Sequence, residues 1–383
     1  MKPIVPPQTI GILGGGQLGR MMAIAAKEMG FKVATVDPTK GSPCGLIADY
    51  EIVGDYASEE ARNQLAEVSD VITYEFENVD LDTARWLENN HHLPQGSHLL
   101  KVTQDRAEEK ATLEAIGVHV APYELISKCE DLEDTLDKIG YPAVLKTTRG
   151  GYDGKGQVVI ESPDDLKAAK ELLSGNTQCV LEKKINFSKE ISVIVSRNVN
   201  GDTETFPVAE NIHKNHILYQ SIVPARVSEA SLERAESLAR QIAHGLELVG
   251  TLAVEMFLTN EEGIYINELA PRPHNSGHYS IEGCMFSQFE QHIRAICGWK
   301  LGKPTLLKPS VMVNLLGQDA ETILDVAPLF DDVHLHLYEK KEIKTNRKMG
   351  HFTIINDSLE DAVHKAETIV ENLQQKDNLE EVK

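Results

Sequence analysis

Apolar residues recur at two spacings along this 383-residue chain. "TIGILGGG" (9–16) is a continuous apolar run closing on glycines, the pattern of a strand buried on both faces. After it, Leu18, Met21, Met22, Ala25, Ala26 and Met29 fall at i, i+3, i+4, i+7, i+8 and i+11, one face of a helix, and Gly30 stands where a C′ glycine would end it. "FKVATVD" predicts the next strand, "SEEARNQLAEVS" a helix opened by Ser58, and "DVITYEF" a further strand. This alternation predicts a parallel sheet wound by helices over residues 1–100.

"NNHHLPQGSH" reads as a linker and "TQDRAEEKATLEAIG" as a helix, giving a connecting segment over 101–122. The texture then changes. "YPAVLKT", "GQVVIES", "CVLEKKI", "EISVIVSRN" and "TETFPVAE" are strand-like, with "PDDLKAAKELLS" a helix among them and Asn200-Gly201 a hairpin turn. We expect a central antiparallel unit over 123–200. A C-terminal unit over 201–383 holds a long helix, "ASLERAESLARQIAHGLEL", the strands "TLAVEMFL" and "GIYINEL", then short strands and a last helix. The overall class is α/β followed by α+β.

Composition narrows the function. No apolar run approaches the roughly 18 residues of a membrane span and the N-terminus has no signal-peptide core, so a cytoplasmic protein with no membrane partner is expected. The five cysteines are scattered and never at CxxC spacing, which argues against both a disulfide framework and a thiolate zinc site. A formal charge of -21 argues against a nucleic-acid surface, since duplex binding needs a basic face. Small anionic substrates remain compatible where cations cluster locally.

Two glycine-rich loops compete for a phosphate. Gly14-x-Gly16-x-x-Gly19 follows a strand, opens a helix and is followed by Asp37 at the end of the next strand, which matches the dinucleotide fingerprint. The winding stops after about three strands, however, so one phosphate monoester at the helix N-terminus suits it better than a dinucleotide. Glu75 and Asn78 fall at the carboxyl end of the third strand, where open α/β sheets bind ligands. The second loop, "TTRGGYDGKGQ" (147–157), lies between strands and lacks the GK[ST] of a Walker loop.

The segment "TLAVEMFLTNEEGIYINELAPRPHNSGH" carries more specific chemistry. A turn centred on "NEE" pairs the flanking strands so that residue numbers sum near 523, setting Glu255 opposite Glu268. Facing like charges cost several tenths of a kcal/mol or more, which a cation would relieve; hard oxygen ligands suit magnesium. A slipped register would instead leave one glutamate exposed. Arg272, His274, Asn275, Ser276 and His278 follow within seven residues, more polar groups than a plain turn requires. The histidine pairs 213/216 and 334/336 lack a third ligand at recognisable spacing and read as non-metal.

Strand, glycine loop, strand and a carboxylate hairpin ending "NELAPRPHNSGH" is the arrangement of the ATP-grasp ligases, which this chain resembles from end to end. Six segments in order, "GGGQLGRM", "YEFENV", "QDR", "GYDGKGQ", "NELAPRPHNSGH" and "RKMGH", resemble the 5-(carboxyamino)imidazole ribonucleotide synthase family of purine biosynthesis. The resemblance implies a Rossmann-like pre-ATP-grasp domain, a central lid and a C-terminal α+β domain. It implies an ATP site on Arg106, Lys146, Gly151, Tyr152, Asp153, Gly154, Lys155, Gly156, Gln157, Glu182, Lys183, Lys184, Ile185, Glu190, His213, Asn267 and Glu268. Magnesium, with manganese as an alternative, would be held by Glu255 and Glu268.

The implied reaction runs from bicarbonate and ATP through carboxyphosphate to carboxylation of aminoimidazole ribonucleotide. Arg272 would stabilise carboxyphosphate, His274 would take part in proton transfer, and Tyr152 and Asp153 would orient the substrate. The substrate would engage Glu75 through its amine, together with Asn78, Asn275 and Ser276. Its phosphate would lie between Gly16, Gln17 and Leu18 and the cations Lys341, Lys344, Arg347 and Lys348. Relatives imply a homodimer. The rival readings are a formate-dependent glycinamide ribonucleotide transformylase, a biotin carboxylase, an NAD-dependent oxidoreductase using the first loop, and a non-catalytic nucleotide sensor.

Overall fold

The parallel sheet expected at the N-terminus has four strands, β1 (Thr9–Leu13), β2 (Lys32–Asp37), β3 (Tyr50–Val53) and β4 (Val71–Tyr74), in the order β3-β2-β1-β4. The computed structural model describes residues 2–151, 155–175 and 178–380. β3 escapes the sequence pattern because it is an edge strand in which only Ile52 is buried. The helix Gln17–Glu28 buries Leu18, Met21, Met22, Ala25 and Ala26, the face set by its spacing. Ser58 caps the helix Glu59–Val68 by accepting the Ala61 amide. The first helix also packs on the helix Gln288–Ile296, sharing one core with Phe289, Ile293 and Ile296, so the N-terminal unit is seated on the C-terminal one.

A second sheet contains β5 (Tyr123–Ile126), β6 (Ala143–Thr147), β7 (Gln157–Ile160) and β8 (Cys179–Lys183), antiparallel in the order β5-β8-β6-β7. The helices Leu132–Ile139 and Leu166–Ser174 cover it with Leu132, Leu136, Ala169 and Leu173.

The third sheet has nine strands: β9 (Phe187–Arg197), β10 (Thr203–Thr205), β11 (Ala209–Lys214), β12 (Ile217–Val223), β13 (Gly250–Thr259), β14 (Ile264–Ala270), β15 (Ser310–Leu316), β16 (Val333–Leu337) and β17 (Lys348–Ile355). Its order is β14-β13-β9-β11-β12-β15-β17-β16, with β10 beside β9. Because β9 pairs with β13 and β11, the break between the two antiparallel sheets falls between Lys183 and Phe187, not at residue 200. The expected single strand "TETFPVAE" divides into β10 and β11 around Pro207, which has no N–H for a ladder. The connecting segment likewise divides, into the helices His98–Thr103 and Arg106–Ala115, the second capped by Asp105. The helices Glu229–Gly245 and Leu359–Glu380 pack on the large sheet.

Candidate active site

A cleft of about 750 Å³ opens between the two antiparallel sheets. β9, β13 and β14 line it from one side and β6, β7 and β8 from the other, while the helix Arg106–Ala115, the segments after β4 and β14, the β11–β12 turn and Lys348 contribute further walls.

Glu255 and Glu268 are paired as the arithmetic requires. The register then shifts by one residue between Glu255 and Met256, leaving Asn267 as a bulge in β14. Successive residues of a regular strand face opposite ways, but the bulge lets Asn267 and Glu268 both line the cleft. Burial, then the charge of Glu268, pushes the Glu255 carboxyl up to about 7. Burial also raises Glu268, against the pull of Arg106, and raises Glu109, which the sequence reading missed, with Glu268 adding to it. Carboxylates concentrated in one cleft in this way, the half-buried Glu255 and the solvent-facing Glu268 above the buried Glu109, fit a divalent cation. Among the described residues no cage of three or more His, Cys, Asp or Glu surrounds a metal position. A pair of carboxylates is nevertheless what magnesium takes when water and phosphate complete its shell.

The opposite wall is cationic. Lys146, on β6, and the nearly buried Lys110 each lie 3.3 Å from Glu182, and these two charges hold its carboxyl below the usual range despite burial. Lys110 was also missed, because only the tertiary fold turns that helix face inward. Arg106 donates to the carbonyls of Thr147 (3.0 Å) and Gly151 (2.9 Å), bracing the second glycine loop as well as facing the cleft. Gly156 has φ +70°, where an L side chain is strained, and its carbonyl accepts the Thr147 amide. Gly151, Lys155 and Gln157 line the cleft, whereas Tyr152, Asp153 and Gly154 lie outside the described residues.

Lys183, the last residue of β8, and Lys184 and Ile185 just beyond it line the cleft. Glu190 Oε2 lies 2.6 Å from His213 Nδ1; although burial disfavours the charged ring, the carboxylate outweighs it and raises the His213 pKa. Phe187 and Phe257 stack with centroids 4.5 Å apart and add an apolar wall suited to a flat base. Neither was picked out by sequence, since a stacked pair from two strands leaves no local motif.

At the other end, Arg272 donates to Glu77 at 2.5 Å. Burial opposes charge on both, yet each partner stabilises the other, so Arg272 is raised and Glu77 lowered. Burial, then Arg272 and Lys348, hold the His274 imidazole well below its ordinary pKa, hence neutral. Its Nε2 lies 3.3 Å from Glu255 Oε1. Asn275 lines the cleft and its buried Oδ1 has no protein partner. Ser276 does not line it: fully buried, its hydroxyl sits between Ser192 and His274 Nδ1, both at 2.9 Å, which corrects its expected contact with substrate.

The first glycine loop is filled by the protein's own carboxylates. Asp37 accepts the Gly15 amide at 3.0 Å and the Tyr56 hydroxyl at 2.7 Å, so it is a structural cap, not a ribose ligand. Glu75 turns inward to accept the amides of Gly16 and Gly19, and a Cβ at Gly19 would come 2.8 Å from the Gly14 carbonyl. Burial raises the Glu75 carboxyl. From that strand end it is Glu77 and Asn78 that line the cleft. Glu75 leaves the amides of Gln17 and Leu18, the first two of the helix, outside its grip.

The cation loop between β16 and β17 is only partly as expected. Lys348 lines the cleft and Lys341 reaches back to the Lys40 carbonyl. The exposed Arg347 donates to the Glu342 carbonyl at 3.0 Å, and Lys344 pairs with Glu342 at 2.6 Å. Lys340, which the sequence reading passed over, is pushed down to about 8 by burial and then by Arg347, against the attraction of Glu75.

Two antiparallel sheets closing on a carboxylate pair beneath a glycine loop define an ATP-grasp ligase, an enzyme that uses ATP. Residues 111–289 match the ATP-grasp domain, residues 7–104 the ribonucleotide synthetase preATP-grasp domain, and residues 310–365 the phosphoribosylaminoimidazole carboxylase C-terminal domain. The chain belongs to the N5-carboxyaminoimidazole ribonucleotide synthase family. It is 54% identical over 352 residues to the N5-carboxyaminoimidazole ribonucleotide synthase of Bacillus subtilis (strain 168), covering 92% of each chain. A crystal structure of an ADP complex of an N5-carboxyaminoimidazole ribonucleotide synthetase superposes with a TM-score of 0.95 at 54% identity, covering 99% of this chain and 100% of that one. The synthase from Aspergillus clavatus, in complex with ADP and 5-aminoimidazole ribonucleotide, gives 0.87 at 30% identity, covering 96% and 99%.

Proposed function

We propose that this chain carboxylates 5-aminoimidazole ribonucleotide with bicarbonate at the expense of ATP, and that the cleft residues divide the work. The observation that carries this reading is that Glu255, Glu268, Lys146, Arg272, His274 and the described residues Gly150, Gly151 and Lys155 of the second glycine loop line one cleft. Phe187, Phe257 and Ile185 offer the adenine a wall, and the Glu190–His213 pair a ribose contact. Lys146, released from Glu182, and Lys155 would neutralise phosphate oxygens. Magnesium, or manganese, held by Glu255 and Glu268 with Asn267 alongside, would supply charge neutralisation between the phosphates.

A bicarbonate oxygen attacks the γ-phosphorus and ADP leaves, giving carboxyphosphate. The amine nitrogen then attacks the carboxyl carbon, phosphate departs, and the amine loses a proton. Positioning and charge, not covalent chemistry by the protein, carry such a transfer. Arg272 is placed to stabilise carboxyphosphate, and His274, neutral and next to Glu255, to handle the proton. The ribose phosphate would take the Gln17 and Leu18 amides with Lys340, Lys341, Arg347 and Lys348 opposite. The loop residues Tyr152 and Asp153 would orient the substrate, a role taken from the resemblance. Two copies of the chain, acting in the cytoplasm, complete the reading, again on that ground.

ADP release should require aminoimidazole ribonucleotide and bicarbonate together. Release that ignores them and responds to glycinamide ribonucleotide with formate would overturn the reading.

A further inference from the structure

A chain of buried polar side chains runs across the cleft face of the large sheet and ends on His274. Ser221 on β12 donates to Asn211 Oδ1 at 2.8 Å, and Asn211 Nδ2 on β11 donates to the Ser192 hydroxyl on β9 at 2.8 Å. Ser192 donates to the Ser276 hydroxyl at 2.9 Å, and the Ser276 hydroxyl lies 2.9 Å from His274 Nδ1. Register places these groups together: Asn211 pairs with Ser221, and Ser192 pairs with Glu255. All four relay side chains are at most 7% exposed.

The donors in this wire all point one way. An amide presents a carbonyl on one side and an NH₂ on the other, so Asn211 decides the sense of the whole series. Asn211 donates to Ser192 and Ser192 to Ser276, which leaves the Ser276 proton available for Nδ1. The Ser276 backbone amide, 3.3 Å from Nδ1, asks for the same lone pair. At the far side of the ring, Glu255 Oε1 lies 3.3 Å from Nε2 and accepts from it whenever it is ionised. A reversed wire would set Nδ1–H against the Ser276 amide and a bare Nε2 against Glu255.

We propose that Asn211, acting through Ser192 and Ser276, is a positioning residue that selects the Nε2–H tautomer of His274, so that a donor faces Glu255 and the reacting end of the cleft. This deepens the reading of His274 given above and rests on it for its consequence in turnover. The tautomer itself is a separate observable. Orienting partners of metal-bound histidines are worth about 10- to 100-fold in activity, and a loss on that scale is expected here.

The test reads the imidazole nitrogens of the full-length, ¹⁵N-histidine-labelled protein by long-range proton–nitrogen correlation, with the His274 signals assigned by their loss in His274→Gln. The wild type should show a protonated Nε2 and a bare Nδ1. In Asn211→Asp the carboxylate only accepts, so Ser192 turns its proton toward it, Ser276 donates back to Ser192, and the Ser276 oxygen at 2.9 Å calls for a proton from Nδ1, a demand that outweighs the longer 3.3 Å contact of the Ser276 amide. That variant should display Nδ1–H, with kcat down about 10- to 100-fold and KM for ATP unchanged. Ser192→Ala, which cuts the wire without adding charge, should give a mixture of tautomers and a smaller loss. A protonated Nδ1 in the wild type would overturn the proposal, and that spectrum needs no variant to fold. An unchanged Nε2–H in Asn211→Asp would also overturn it. Full turnover by His274→Gln would instead defeat the proton-handling role of His274, leaving the tautomer result to stand by itself.

Discussion

Glu255 and Glu268 repel each other across one strand pair, and partial desolvation by the cleft walls adds to the cost of charging them. Glu268→Gln should therefore abolish magnesium-dependent ADP formation while leaving the metal-free protein at least as stable, by up to about 1 kcal/mol, in thermal unfolding. Turnover at the wild-type rate would exclude Glu268 as an essential ligand. A metal needs the ionised carboxylate, and Glu255 is protonated below about 7, so apparent magnesium affinity measured by calorimetry with ADP should fall as pH drops through 7. Lys340 has the opposite sense: its folded value near 8 leaves it charged below that pH and neutral above. KM for aminoimidazole ribonucleotide should rise above about pH 8, and Lys340→Met should raise it at all pH values and remove the step. Glu255 and Glu268 were legible in the sequence because strand arithmetic needs only a turn and a period of two. Lys340, Lys110, Glu77 and Glu109 were not, since their burial comes from segments far away in the chain.

The β16–β17 loop illustrates how an element, not a residue, presents the cations. It is held where Gly317 approaches it: a Cβ on Gly317 would lie 2.0 Å from the Lys344 carbonyl oxygen, a contact that only backbone movement could relieve. Gly317→Ala should displace the loop and weaken aminoimidazole ribonucleotide binding about tenfold, the cost of a 1–3 kcal/mol overpacking, with KM for ATP unchanged. The bulge at Asn267 is a second element-level device, and its cause is visible only in the paired strands. The strand–helix alternation over 1–100 was readable from periodicity, whereas the exposed edge strand β3 and the division of the connecting helix at Asp105 were not. The former lacks an apolar stripe, and the latter depends on a cap.

On the scale of the whole molecule, the N-terminal sheet shares one core with the helix Gln288–Ile296, which packs on β13 and β9, and Arg20 and Lys40 of the N-terminal unit contact Glu339 and Lys341 of the cation loop. Sedimentation should give a particle of about twice the 42.4 kDa chain mass; a monomer at working concentration would refute the dimer. No helix among the described residues is long and apolar enough to cross a membrane.

The order of residues was enough to establish the parallel N-terminal winding, the antiparallel texture after residue 120 and the facing glutamates, because each follows from a period of 3.6 or 2 and from turn chemistry over a few residues. Whole-chain motif order was enough to place it among ATP-grasp ligases. Only the tertiary structure decided that Glu75 and Asp37 occupy the amides of the first glycine loop, which removes the dinucleotide reading. It also turned Ser276 away from the cleft and into a wire of side chains from three strands. Those outcomes depend on which donor meets which acceptor once desolvated, and burial, the property that makes an unmatched polar group costly, is created by the fold and written in no local pattern.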